Sequence, residues 1–144
     1  MKTWLTVIFL FISGLLLLTI GSTILFVPHT FYASDGITLG HNPSLLSEIR
    51  APGGLLAGSA LFILMGVFRS HLRSLALLLT VLVYGSFGLS RLLGLVLDGM
   101  PSNNLVMAAV IELTVAVIGL MILFYRFGFE ANKSSFVPLK ESSN

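Results

Sequence analysis

The sequence contains no cysteine, and only 10% of its 144 residues are charged. The lack of cysteine excludes disulfides, thiol nucleophiles and cysteine-ligated metal clusters. So low a charged fraction argues against an ordinary soluble domain, in which about a quarter of the residues are charged. Apolar side chains are instead in excess: they make up 56% of the chain, and its mean hydropathy is +1.00. This surplus of apolar surface predicts a protein that faces lipid.

Four apolar segments are long enough to cross a bilayer. At about 1.5 Å per residue, roughly 20 helical residues span a hydrocarbon core about 30 Å thick. We therefore predict an all-α, integral membrane four-helix bundle over residues 1–129, followed by a flexible tail over residues 130–144. The first segment outruns the apolar region of a signal peptide, so we expect an uncleaved helix. The predicted spans are residues 4–27, 51–68, 75–97 and 105–125.

The basic residues are distributed unevenly among the connections between these spans. Six of the eight Lys and Arg residues lie in the N-terminus, the second connection or the tail. By the positive-inside rule, both termini are predicted to be cytoplasmic, in a bacterial inner membrane. Because the net charge is only +2 and the basic residues are scattered, no nucleic-acid partner is expected. The six residues are Lys2, Arg69, Arg73, Arg126, Lys133 and Lys140.

The start of the second span carries several helix signals. Asn42 followed by Pro43 resembles an N-cap and first helical position, and Pro52 predicts a kink further along. Pro52 cannot donate to the carbonyl of Glu48, which leaves an acceptor free for a ligand or water. The other interpretation of this segment is close helix packing at glycines. The glycines assigned to it are Gly53 and the G-x-x-x-G pair Gly54 and Gly58.

Charged residues inside the spans are predicted to share one depth. Arg91 and Glu112 are each about ten residues from the centre of the third connection, so on antiparallel helices they lie level and should pair. Counting equal numbers of residues on either side of the second connection places Arg91 at about the depth of Glu48 and Arg50 on the second span. His29 and His41, in the long first connection, lack a third ligand, so no metal site and no cofactor is predicted.

The faces of the third and fourth spans extend this cluster. Tyr84, Arg91 and Asp98 recur every seven residues on one helix face, and Ala109 and Ala116 flank Glu112 on the other helix. The predicted polar cluster is therefore Glu48, Arg50, Tyr84, Arg91, Asp98 and Glu112. Two interpretations remain open. The charges lock the four helices together, or they line a single cavity in the outer leaflet that accepts a ligand.

Three short motifs stand out in the chain: R-A-P-G-G at residues 50–54, D-G-M-P at residues 98–101, and Ile111-Glu112-Leu113. Through these motifs the chain resembles a bacterial membrane family known as domain of unknown function 4345. The likeness covers roughly residues 5–124, and its motifs are present in full. The resemblance implies a four-helix membrane protein and carries no established activity.

Three function classes fit these patterns. The first is a non-enzymatic membrane protein whose polar cluster binds a lipid headgroup or a quinone-like molecule, or which supports a membrane complex or homo-oligomer. The second is a small transporter subunit or proton-coupled carrier that uses Arg91 and Glu112, although no inverted repeat is evident. The third is an enzyme with Glu112 or Asp98 as general base, but no nucleophile or metal ligands accompany them. We favour the first.

Overall fold

Four long apolar helices form the fold, which confirms the predicted all-α class. The computed structural model describes the backbone of residues 3–134 and the side chains of residues 3–126. No strand occurs within that backbone, and each of the four long helices has the length and composition to cross a membrane. The elements are α1 (Thr3–Phe26), α2 (Pro28–Ala33), α3 (Pro43–Phe68), a 3₁₀ turn (Ser70–Leu72), α4 (Arg73–Asp98) and α5 (Asn103–Ser134).

The start of α3 follows the cap that the sequence predicts. The Asn42 side chain accepts a hydrogen bond from Ser44 N at 2.9 Å, and Pro43 occupies the first helical position. The helix therefore begins eight residues before the predicted span. It continues without a break through Pro52 to Phe68, and the kink at Pro52 stays a prediction.

A short helix and a turn form the long connection between α1 and α3. Pro28 begins α2, where its missing N–H costs nothing, and its ring is buried. Gly36 has a φ of +78°, a left-handed conformation that other residues rarely adopt. The His29 and His41 rings lie 5.5 Å apart between centroids, so the connection closes on itself. Asn104 Nδ2 donates to Ser34 O at 3.1 Å and ties this connection to α5.

The helices pack as two antiparallel pairs. α1 contacts α3 most extensively, α4 contacts α5, and the two pairs meet mainly through α3 and α4. Residues 27–42 and 99–102 form one end of the bundle, called here the long-loop end. Residues 69–72 form the opposite, short-loop end. Gly99, with a φ of +93°, follows α4 and allows the tight turn into α5.

Glycine allows the backbones of α1 and α3 to approach closely. A Cβ on Gly21 would lie 2.5 Å from Ala57 N, and one on Gly53 would lie 2.9 Å from Leu25 N. Gly53 therefore has the packing role that the sequence suggests, with Gly21 as its partner on α1. The other two assigned glycines differ. A Cβ on Gly54 would only touch the Leu25 side chain at 3.9 Å, and one on Gly58 would meet nothing within 4 Å.

The bundle interior is narrow, as expected of helices whose outer faces meet lipid. Apolar side chains on every long helix are exposed, such as Phe68 and Val96 at 79% and 80%. At its far end, α5 continues through Ser134, so residues 130–134 of the predicted tail are helical. The rest of that tail lies outside the described residues. The largest fully buried side chains are Tyr84, Leu10, Ile63, Leu77, Thr80 and Pro28.

Candidate functional site

An ion pair joins α4 to α5, as predicted from the common depth of its two residues. Arg91 Nε donates to Glu112 Oε2 at 2.9 Å. Arg91 lies seven residues before the end of α4, and Glu112 lies nine residues after the start of α5. At about 1.5 Å per residue, both are therefore roughly 10 to 14 Å inside the long-loop end. The Glu112 side chain is 13% exposed and that of Arg91 is 31% exposed.

The Arg91 guanidinium is only partly used by this contact. It binds Glu112 through Nε, the nitrogen nearest the side-chain stem, rather than through its terminal fork. Within the described side chains, the terminal nitrogens make no hydrogen bond. An arginine fork is suited to binding a carboxylate or phosphate through two parallel hydrogen bonds. The pair therefore neutralises Glu112 while leaving donors on Arg91 for another group.

Tyr84 lies two turns before Arg91 on α4, nearer the short-loop end, and joins the two helix pairs. Its hydroxyl donates to Ser13 O of α1 at 2.6 Å, and the side chain is 2% exposed. The small residues expected around the acid also face inward, since Ala109 and Ala116 are buried on α5. Gly88 lets α5 approach α4, because a Cβ there would lie 3.2 Å from Leu113 N. Tyr84, Ala109 and Ala116 therefore face the bundle interior, whereas Asp98, on the same face of α4 as Tyr84, is exposed.

A small cavity lies on one side of the ion pair. It has a volume of about 120 Å³ and is bordered by all four long helices. Arg91, Glu112 and Tyr84 supply its polar groups, and the remainder of its wall is apolar. The apolar lining comes from Leu16, Leu17, Ile20, Ile24, Leu56, Val83, Phe87, Ala108 and Ile111.

A larger groove lies on the other side of Arg91, between α4 and α5 at the long-loop end. Its volume is about 440 Å³, and it contains Arg91 and Asp98 together with apolar side chains. Asp98 is exposed, and its Oδ2 lies 3.8 Å from the position of a Cβ on Gly94. Arg91 borders both the groove and the small cavity. The apolar lining includes Leu92, Leu95, Leu105, Val106, Val110 and Leu113.

Glu48 and Arg50 are not brought to either of these spaces. Both are exposed on α3. Arg50 borders a separate open cleft against the end of α1, and its Nη1 donates to Leu25 O in the last turn of that helix. Carbonyls in the last turn lack helical partners, and a cation there also complements the helix dipole. Arg50 thus has a structural contact, and the six residues of the predicted cluster do not share one space.

An arginine at the other end of the bundle makes a related contact. Arg73 Nη2 lies 3.5 Å from Val67 O, close to the end of α3. Arg50 and Arg73 therefore each bind a carbonyl near the C-terminal end of the long helix that precedes them in the chain. This repetition supports a capping role for both.

Two residues of the site are absent from the sequence prediction. Ser13 accepts the Tyr84 hydrogen bond through its carbonyl, and Gly94 leaves the space over which the Asp98 carboxylate lies. Small residues in the middle of apolar spans are the signal that could have indicated both, because they commonly mark close contacts in membrane helices. Among the described residues, no group of three His, Asp or Glu side chains could hold a metal ion.

Comparison with known proteins assigns a family and nothing further. No curated protein and no solved structure matches the chain. One family model matches residues 5–123, which is most of the sequence and all of the site, and its description is a domain of unknown function, DUF4345. The R-A-P-G-G and D-G-M-P motifs both lie within the match. The chain belongs to the DUF4345 family.

Proposed function

We propose that this protein is a non-enzymatic membrane protein that binds a lipid or quinone-like amphipathic molecule at the long-loop end of α4 and α5. The observation that carries the proposal is the position of Arg91 between an apolar groove and the Glu112 carboxylate. A ligand headgroup would bind the terminal nitrogens of Arg91 from within the groove, while its hydrocarbon part continues past Arg91 along exposed apolar side chains of α4 and α5, such as Leu89 and Val117. Glu112 holds the guanidinium in place through Nε.

The groove suits an amphipathic ligand better than a water-soluble one. Its walls are mainly leucine and valine side chains, and its charged groups are confined to Arg91 and Asp98. At roughly 10 Å from the end of α4, Arg91 is nearer the long-loop end than the middle of a hydrocarbon core about 30 Å thick. Long cationic side chains at this depth reach toward the interface.

The proposed setting is the bacterial inner membrane with both termini in the cytoplasm. Arg69, Arg73 and Arg126 are the basic residues that support this orientation among the described side chains. The groove would then open toward the outer leaflet. A phosphatase reporter tests the orientation. It should be active when inserted after Gly40 and inactive when fused after Arg69, and the reverse pattern would place the groove in the cytoplasmic leaflet.

A proton-coupled carrier is the second candidate, favoured by the small cavity next to the ion pair. Tyr84 borders this cavity. In the half of the bundle toward the short-loop end, Thr80, Leu77 and Ala76 are fully buried on α4. A carrier would have to open this tightly packed half during transport. The first proposal requires no such rearrangement, and we therefore prefer it.

Native mass spectrometry of the detergent-extracted protein tests ligand binding. The wild type is expected to retain a lipid or quinone, and the variant Arg91→Ala with Glu112→Gln should lose it while still eluting as a folded protein. Arg69→Ala is the matched control, because Arg69 is exposed at the short-loop end. Equal retention by all three proteins would exclude Arg91 and Glu112 from the site.

A further inference from the structure

We infer that the groove selects a zwitterionic phospholipid whose headgroup ends in a primary ammonium, as phosphatidylethanolamine does. The inference rests on the proposed function and specifies the ligand of the same site. Its basis is that the groove contains one cation and one carboxylate that do not bind each other. Such a headgroup carries one phosphate and one ammonium group, so its charges complement both.

Arg91 and Asp98 lie on one face of α4, two turns apart. The Asp98 carboxylate folds back along the helix over Gly94, where a Cβ would lie 3.8 Å from Oδ2. Gly94 is on the turn between them, so the carboxylate is directed along the groove toward Arg91. Two opposite charges are therefore presented to the same space at different depths.

Neither charge satisfies the other within the protein. Arg91 is paired with Glu112 through Nε, and Asp98 forms no ion pair among the described side chains. A phosphate can bind the terminal nitrogens of Arg91, and an ammonium can donate to Asp98. The acyl chains would then continue from the phosphate past Arg91, along exposed apolar side chains such as Leu89 and Val117.

The same charges disfavour other common phospholipids. An anionic glycerol headgroup would satisfy Arg91 but would leave Asp98 without a cationic partner. A choline headgroup carries a positive charge but no N–H group, so it cannot donate a hydrogen bond to the carboxylate. Asp98 therefore provides selectivity by headgroup, whereas Arg91 and the apolar walls provide affinity for any phospholipid.

The test is competition among phospholipids in mixed detergent micelles, measured by native mass spectrometry. The probes are phosphatidylethanolamine, phosphatidylglycerol and phosphatidylcholine with identical acyl chains, in equimolar amounts.

Because Asp98 is exposed, we expect a modest wild-type preference for the ethanolamine lipid of about three- to fivefold. Asp98→Asn should abolish this preference without loss of total lipid, and Asp98→Lys should favour the glycerol lipid. Asp35→Asn is the control, because Asp35 lies at the same end and outside the groove.

The outcomes separate this inference from the proposed function. If the wild type retains phospholipid without headgroup preference, or if Asp98→Asn keeps the preference, the headgroup inference is wrong and lipid binding stands. Equal retention of the choline and ethanolamine lipids would also overturn it, because the primary ammonium would then be irrelevant. If the wild type retains no phospholipid, the headgroup inference is overturned. If it retains no amphipathic molecule at all, the proposed function is overturned as well.

Discussion

The two helix pairs of this bundle are built on different physical contacts. In the α1–α3 pair, Gly21 and Gly53 bring the backbones together, and α1 contains no charged residue in its described length. In the α4–α5 pair, Arg91 and Glu112 form an ion pair beside a cavity and a groove. The first pair gains stability from close van der Waals contact. The second includes charged groups in a membrane, at an energetic cost that a purely structural pair would avoid.

The difference indicates which pair is available for a ligand. Contact through glycine leaves little space along the middle of α1 and α3, whose open cleft at Arg50 lies at the long-loop end. The charged pair instead has unfilled volume on both sides of Arg91, well inside the bundle. If charge served only to lock helices, the charged pair would be expected to be tightly filled. We therefore assign the α1–α3 pair a packing role and place the proposed site in the α4–α5 pair.

The largest effect is expected from a methyl group in the glycine contact. Gly21→Ala would place a Cβ 2.5 Å from Ala57 N, a backbone atom that cannot move independently. We expect a loss of about 3 kcal/mol in unfolding free energy, the upper end for overpacking. Gly58→Ala is the control, since a Cβ there meets nothing within 4 Å, and it should be neutral or stabilising by up to about 1 kcal/mol. Equilibrium unfolding in mixed micelles measures both, and equal stabilities would show that the backbones are not in contact.

The next effect concerns the ion pair. Arg91→Leu leaves Glu112 without its partner, so it should destabilise the protein more than Arg91→Leu combined with Glu112→Leu. Allowing for the partial exposure of Arg91, 31% of its side chain, we expect a coupling of about 1 to 2 kcal/mol. A double-mutant cycle by thermal shift provides the measurement. Additive single effects would mean that the pair contributes nothing to holding α4 against α5.

Hydropathy and residue spacing predict the spans and the depth of the charges. Apolar length is a direct consequence of bilayer thickness, so four helices follow from the sequence. Residues equally distant from the centre of a short connection lie at equal depth on the two antiparallel helices. This rule correctly predicts the contact of Arg91 with Glu112. The start of α3 at Asn42 also follows, because its cap is a local interaction.

Depth does not determine the direction in which a helix presents a side chain. Arg50 is near the predicted level, yet it binds the end of α1 rather than the groove, because α3 packs on α1 through Gly53. The rotation of α3 about its own axis, which sets the direction of Arg50, depends on which of its glycines contacts α1. The sequence offers Gly54 and Gly58 as a recognisable pair, whereas the actual partner, Gly21, lies on another helix. A tertiary contact of this kind has no local signal.

A smaller effect is expected where the two pairs meet. Tyr84→Phe removes the hydrogen bond from the hydroxyl to Ser13 O and keeps the ring in place. The loss should be about 1 kcal/mol in unfolding free energy, as is typical for one hydrogen bond. Tyr125→Phe serves as the control, because Tyr125 is 55% exposed. If both variants unfold like the wild type, the hydroxyl does not stabilise the contact between the pairs.

The smallest effect is expected at Arg50, and it decides to which pair this residue belongs. If Arg50 caps α1 through Leu25 O, Arg50→Ala should lower the unfolding free energy by about 0.5 kcal/mol, as exposed cations at helix C-termini do. Arg50→Lys should recover part of the loss, because an ammonium can still donate to one carbonyl.

Lipid retention should remain unchanged in both Arg50 variants, and Arg69→Ala provides a control for the loss of an exposed arginine. If Arg50→Ala instead releases bound lipid and leaves stability unchanged, the result would support the single ligand cavity predicted from the sequence. The contrast between a structural pair and a ligand-binding pair would then be wrong, because α3 would contribute to both.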